Sequence, residues 1–305
     1  MNRFLVENQT ALDTHTGLMW TINASLFDFS MTWTEALQAV KELNNSKMYG
    51  YADWKIPNRR ELFSLLSHKI INPCLPTGHP FLNVFTSYYW TSTTCIRIPK
   101  QAWYIHLGGA RVFKGVKNES HMVWPVRVCA NQNKTRLLET GQITCFDTSG
   151  TLISCLDTGQ DGEKQTAAVS NKDRFIMNND IVYDHVTRLS WLRNANIYNG
   201  MLDWNSAFEF ISIMNAEMKH GYNDWRIPNI IELEGLIDLS QNSPALSSNH
   251  SFVNVQDFYW SSTTSAYEPK YAWALYMQDG AIGVGYKTLS EFYLWPVRGE
   301  QCFIQ

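Results

Sequence analysis

No stretch of this 305-residue chain stays apolar for the ~18–20 residues that a transmembrane helix requires. Residues 1–20 lack the charged start and apolar run of a signal peptide. Charge of one sign is also scarce: 25 Lys and Arg stand against 28 Asp and Glu, for a net charge of −3. That balance speaks against a protein built chiefly to grip a nucleic acid backbone. The six cysteines never fall as Cys-x-x-Cys, which disfavours zinc ribbons and thioredoxin-type redox sites. GxSxG, HExxH and a glycine-rich phosphate loop ahead of a helix are absent, and the eight histidines miss metal-ligand spacings. The expectation is a protein without a catalytic centre, a metal or a cofactor.

What the chain does hold is aromatic residues, 13% of the total, and 45% apolar residues overall, enough for a sizeable core. These residues recur in order. TGLMW (Thr16–Trp20) returns as TRLSW (Thr187–Trp191), and TWTEAL (Thr32–Leu37) as DWNSAF (Asp203–Phe208). GYADWKIPNRREL (Gly50–Leu62) returns as GYNDWRIPNIIEL (Gly221–Leu233), and YYWTSTT (Tyr88–Thr94) as FYWSSTT (Phe258–Thr264). AWYIHL (Ala102–Leu107) pairs with AWALYM (Ala272–Met277), and WPVR (Trp124–Arg127) with WPVR (Trp295–Arg298). Every match is offset by 170 or 171 residues, so the chain carries two copies of one domain. The period is far longer than a solenoid unit, and each copy should bury its own core. The expected organisation is one copy over 1–130, a Gly/Thr-rich turn-forming segment over 131–173 leading into the second copy, and that copy over 174–305. Nothing upstream of Arg3 corresponds to the segment, so a longer precursor that has lost a leader is expected.

Each copy reads as α+β. Thr32 and Glu35 form a capping box ahead of Ala36, Leu37, Val40 and Leu43 at helical spacing. Asn58 and Glu61 start a second helix with Leu62, Leu65 and Leu66 as its buried stripe, and Asn229 and Glu232 repeat the device. Asp53 and Glu61 could be a carboxylate pair, but the cap accounts for Glu61, and a turn accounts for Asp53. In AWYIHL, Trp103, Ile105 and Leu107 alternate with outward Tyr104 and His106, and GGA (Gly108–Ala110) marks a hairpin. Cys145 and Cys155 flank a turn at Ser149-Gly150 and suit a disulfide staple. An even cysteine count at wide spacing suits an oxidising compartment, with buried thiols as the alternative.

The ordered motif set resembles the Lcl C-terminal-like family, the domain that ends a bacterial collagen-like adhesin. The segment TGQITCFDTSG…TGQDG resembles sequence that often precedes such domains. The resemblance implies two tandem C-type-lectin-like domains, each with two helices and a small antiparallel β-sheet. It also implies a secreted, cell-surface or periplasmic bacterial binding protein, of adhesin or receptor type, with a glycan or surface protein as ligand. The alternatives are a non-catalytic interaction subunit of a pilus or envelope complex, and a formylglycine-generating-type oxidase. The collagen-like repeat of that adhesin is missing, so its trimerisation does not carry over. Calcium would suit a lectin-like fold, but no dense Asp/Asn/Glu cluster supports it.

The oxidase reading needs a reactive cysteine pair within one domain. Cys74 and Cys95 are the only such pair, and Ala245 and Ser265 replace them in the second copy. Joint loss is what a Cys74–Cys95 disulfide predicts. Cys129 and Cys302 close their domains and either link the copies or stay free. Because YWTSTT is shared, Trp90 and Trp260 read as core, and ligand-specific residues should lie where the copies differ. These candidates are Arg97, Lys100, Tyr104, His106 and Arg111 in the first copy, and Tyr267, Lys270 and Tyr276 in the second. Lys114 and Lys117 add to a basic surface on the first copy that would suit an acidic glycan.

Overall fold

A computed structural model describes residues 2–129, 135–169 and 174–299. It divides into two units, one holding the first copy with the segment that follows it, the other holding the second copy. Both are α+β, and the described residues of each copy form strands of two antiparallel sheets rather than the single one expected from sequence.

In the first unit, β1 (Phe4–Glu7), β2 (Thr10–Asp13) and β3 (Leu18–Thr21) form a meander. The last strand of the copy, β7 (Val126–Val128), returns to pair with β3. Helix α1 (Trp33–Asn45) starts at the Thr32/Glu35 capping box and buries Trp33, Ala36, Leu37, Val40 and Leu43. Helix α2 (Arg59–Phe63) has the Asn58/Glu61 box but only five residues, so Leu65 and Leu66 are buried from the turns after it. The second sheet is β4 (Tyr88–Thr94), β5 (Gln101–His106) and β6 (Arg111–Val116), with Trp90 opposite Tyr104 and His106 opposite Arg111. Register shifts between Trp90 and Thr94, a bulge that turns the end of β4 away from regular pairing.

The segment after the first copy is a strap laid against that copy. It runs through β8 (Thr135–Leu138), the hairpin β9 (Cys145–Phe146) with β10 (Leu152–Ile153), α3 (Asp161–Lys164) and β11 (Ala167–Val169). β8 and β11 pair in parallel, and the Cys145–Cys155 disulfide staples the hairpin as the spacing predicted. Asp147 Oδ1 accepts from Ser149 N and Thr151 N at 2.9 and 2.8 Å, and Gly150 takes φ +89°, which closes the turn.

The second unit repeats the copy's plan. β12 (Phe175–Asn178), β13 (Ile181–Asp184), β14 (Leu189–Leu192) and β18 (Val297–Arg298) form one sheet. β15 (Phe258–Thr264), β16 (Tyr271–Tyr276) and β17 (Ala281–Tyr286) pair in the second, and α4 (Trp204–Ala216) and α5 (Ile230–Leu236) are its helices.

The expected Cys74–Cys95 disulfide is not formed; both are buried thiols. Cys95 N donates to Gln101 O at one end of β5, and Cys74 N donates to Leu107 O just beyond the other end. Six strand residues at about 3.3 Å each separate those anchors by roughly 20 Å, against the 4.4–6.8 Å between Cα atoms that a disulfide spans. Ala245 and Ser265 hold the same places, donating to Met277 O and Tyr271 O, so their joint loss reflects two separate small-residue positions. Cys129 is a thiol too, and Cys302 lies outside the described residues. Asp53 and Glu61 serve different contacts: Asp53 takes Arg127 Nε and Nη2 at 2.6 and 3.0 Å, while Glu61 pairs with Lys55 and caps α2.

Two expectations follow. Burial pushes the Cys74 thiol up to about 12, so peptide mapping after alkylation of native protein should find Cys74 unmodified, and should find 145–155 as the disulfide-linked pair. Burial also holds His68, beside Phe63, down to about 4. The unfolded chain protonates near pH 6.5, so this histidine removes stability as pH falls from 6.5 towards 4, by about 3 kcal/mol at most. His68→Leu, the residue the second copy carries as Leu239, should flatten the dependence of melting temperature on pH across that window.

Candidate functional site

The alternation of β5 sends Trp103, Ile105 and Leu107 into the core and leaves Tyr104 and His106 half-buried on the other face. There they meet Tyr88 from β4 and His121, whose backbone bridges to Met31. Tyr88 is the hub: its ring centroid lies 4.9 Å from Tyr104, 4.8 Å from His106 and 5.4 Å from His121. His121 closes on Tyr104 at 4.6 Å and rests on Trp90 at 4.3 Å. Glu119 Oε2 stands 3.6 Å from His121 Nε2. A Cβ on Gly115 of β6 would come within 2.2 Å of Glu119 Oε2 and 2.9 Å of Tyr104, so glycine there lets both lie against the sheet. Tyr88 is 42% exposed and Phe113 49%, so the cluster presents an open aromatic face with phenol, imidazole and carboxylate groups around it.

Both imidazoles are held neutral near pH 7. Burial, with only partial relief from the Ser120 backbone, takes His121 down to about 4. His106 is lowered by burial first and by the Arg111 cation second. Burial, then the Tyr88 and Glu119 charges, push Tyr104 up to about 12, so it stays a hydrogen-bond-donating phenol.

The structure splits the residues singled out from sequence. Tyr104, His106 and Arg111 come together, whereas Arg97 and Lys100 are exposed beyond the opposite end of β5, where Gly150 of the strap approaches Lys100 N. Lys117 is not a surface charge: it is fully buried, donating to Phe146 O and Asp147 O of the strap at 2.9 and 3.2 Å. Lys114 lies over the Trp103 ring at 5.2 Å. The basic surface is therefore smaller than the sequence suggested. In the second copy, Tyr276 packs on Phe258 at 5.2 Å, while Tyr267 and Lys270 are exposed at the far end of β16. Tyr88 and His121 escaped the sequence reading. Tyr88 sits in a string assigned to the core, and nothing local to His121 says that it meets β4.

A cleft of about 440 Å³ lies between α1 and the strap, lined by Leu37, Lys41, Asn44, Trp54, Asp157 and Lys164. Its polar groups are engaged with one another: Lys41 pairs with Asp157, Asn44 holds the Trp54 backbone, and Lys164 pairs with Glu163. The described residues contain no group of three or more His, Cys, Asp or Glu able to hold a metal, and no described helix is long and apolar enough to cross a membrane.

The sequence model of the Lcl C-terminal domain matches residues 9–127 and again 180–298. The chain belongs to the Lcl C-terminal domain family. A search of curated proteins finds no match. The two Lcl C-terminal domains keep one scaffold and differ at this patch: Tyr88, Tyr104, His106 and His121 become Phe258, Ala274, Tyr276 and Phe292. Phe292 rests on Trp260 at 4.3 Å as His121 rests on Trp90. A face with two phenols and two imidazoles in the first domain thus keeps a single phenol, Tyr276, in the second.

Titration of the imidazoles by NMR should place His106 below the ordinary value and His121 lower still, near pH 4. Arg111→Gln removes a repelling cation, so it should raise the His106 pKa and leave His121 in place.

Proposed function

We propose that this is a bacterial secreted or surface-associated binding protein, of adhesin or receptor type, with two lectin-like domains. Its first domain recognises glycans through the Tyr88, Tyr104, His106 and His121 face. The observation that carries the reading is the contrast between the domains: one backbone position after another is kept, while the first carries Tyr88, Tyr104, His106 and His121 where the second keeps one phenol, Tyr276, among Phe258, Ala274 and Phe292. Exposed phenol rings stack on the apolar faces of sugars, and neutral imidazoles, phenols and Glu119 offer hydrogen bonds to their hydroxyls. Arg111 at the rim favours acidic sugars. The stapled strap supports an oxidising location outside the cytoplasm. The distance between Cys74 and Cys95, each fixed near an opposite end of β5, favours binding over an oxidase that needs two neighbouring thiols.

The test is a glycan and glycosaminoglycan array probed with the full chain, followed by titration of the best ligand. Tyr104→Ala, which installs the residue the second domain carries as Ala274, should weaken binding about tenfold or more while a cooperative melting transition shows that the domain stays folded. An array without a carbohydrate hit, or affinity indifferent to Tyr104→Ala, would remove the reading. In that event a protein-interaction subunit of an envelope complex becomes the better account.

A further inference from the structure

The end of β4 in the first copy and the end of β15 in the second are alike in sequence but not in surroundings. In the first copy the strap covers this face. Thr93 Oγ1 donates to Asp161 Oδ2 at 2.8 Å, and the Gln142 amide accepts from Thr94 N at 3.2 Å and donates to Thr94 O. Lys117 Nζ gives its protons to two strap carbonyls while standing 4.2 Å over the Trp33 ring. Under that cover Thr93 and Lys117 are fully buried and Trp33 is 2% exposed.

The second copy rebuilds the same receptor. Lys287 stands 4.0 Å over the Trp204 ring, and Thr263 Oγ1 accepts Ile230 N at 3.1 Å as Thr93 Oγ1 accepts Arg59 N at 2.9 Å. No strap follows it among the described residues of its unit. Thr263, Thr264, Trp204 and Lys287 are only half-buried, and Lys287 turns back to Thr264 Oγ1 at 2.7 Å. Phe208, which takes the place of buried Leu37, is 40% exposed and packs edge-on to Trp204 at 4.6 Å. One socket differs: Glu61 accepts Thr166 Oγ1 at 2.6 Å, whereas Arg226 grips Glu232 through both oxygens.

We propose that this face of the second copy is a docking site for a second strap, supplied from outside residues 1–305. The occupant is a disulfide-stapled, Gly/Thr-rich segment. It offers a carboxylate to Thr263, a side-chain amide to the end of β15, two backbone carbonyls to Lys287 and an apolar turn to Trp204 and Phe208. It requires no hydroxyl at Glu232, because Arg226 already fills that place. The strap of the same molecule is not the occupant, since its carboxylate, amide and carbonyls are committed to the first copy.

The probe is a fluorescent synthetic peptide spanning 138–167, with Cys145 joined to Cys155, titrated with the full chain. One site per chain is expected, with a Kd of about 1–100 μM for a contact of this size. Lys287→Met and Thr263→Val should each weaken binding about tenfold, and amide hydrogen exchange should slow over 204–216 and 258–264 when peptide is added. Absence of binding at about 1 mM peptide would overturn the proposal. So would binding indifferent to Lys287→Met, which would mean that the peptide displaces the strap of the first copy. A dimer of the full chain that forms without peptide and is lost in Lys287→Met would also overturn it, by assigning the face to strap exchange between two copies.

Discussion

The fold of each domain depends on tryptophans that must be buried and yet carry an N–H. An indole N–H left without an acceptor in a core costs on the order of 1–3 kcal/mol, and four tryptophans in each domain meet that demand with a carbonyl at a fixed place. In the first domain Trp33 donates to Thr91 O, Trp90 to Met31 O, Trp54 to Met48 O and Trp124 to Thr21 O, all at 2.8–3.0 Å. Trp204, Trp260, Trp225 and Trp295 donate to the corresponding carbonyls of the second. Two of these bonds are reciprocal: the start of α1 and the bulged end of β4 each send an indole to the other's backbone. The repeated strings are thus held by pairwise requirements between distant segments. The Asp of GYxDW completes the set by binding the Arg of WPVR, at 2.6 Å in the first domain and 2.7 Å in the second.

Much of this was legible because it is local or periodic. The duplication, both capping boxes, the in–out phase of β5 and the stapled turn at Ser149-Gly150 all rest on spacings within a dozen or so residues, or on direct self-comparison. What the sequence left open depends on which surfaces meet. Cys74 and Cys95 look like a pair in one dimension and are kept apart by the length of β5. Lys117 reads as a surface cation until the strap closes over it, and the strap itself lies against the domain before it rather than merely leading into the next. Tyr88 belongs to a string whose neighbours are core, and it is exposed because β4 begins with it.

The duplication separates scaffold from surface inside one molecule. Where both domains spell the same residues, an indole bond, a helix cap or an Asp–Arg pair accounts for them. At the aromatic face, where they differ with the backbone retained, the first domain carries two phenols and two imidazoles, and the second carries two phenyl rings, a methyl group and one phenol. The cover differs too: the strap closes the first domain over Thr93, Thr94 and Lys117, while Thr263, Thr264 and Lys287 stay half-buried. A single scaffold thereby presents two chemically distinct faces.

The strand order has a mechanical meaning. The chain enters the first domain through β1 and leaves its motif core through β7, and both belong to the β1–β2–β3–β7 sheet. The second domain does the same with β12 and β18. Tension drawn along the polypeptide is therefore borne by that sheet and by the few rungs joining its last strand, Leu18 to Val128, Met19 to Arg127 and Trp20 to Val126. The strap that continues from β7 is itself bonded to Thr93 and Thr94 at the end of β4, so the sheet that carries Tyr88, Tyr104 and His106 is drawn on as well once that anchoring sheet begins to shear.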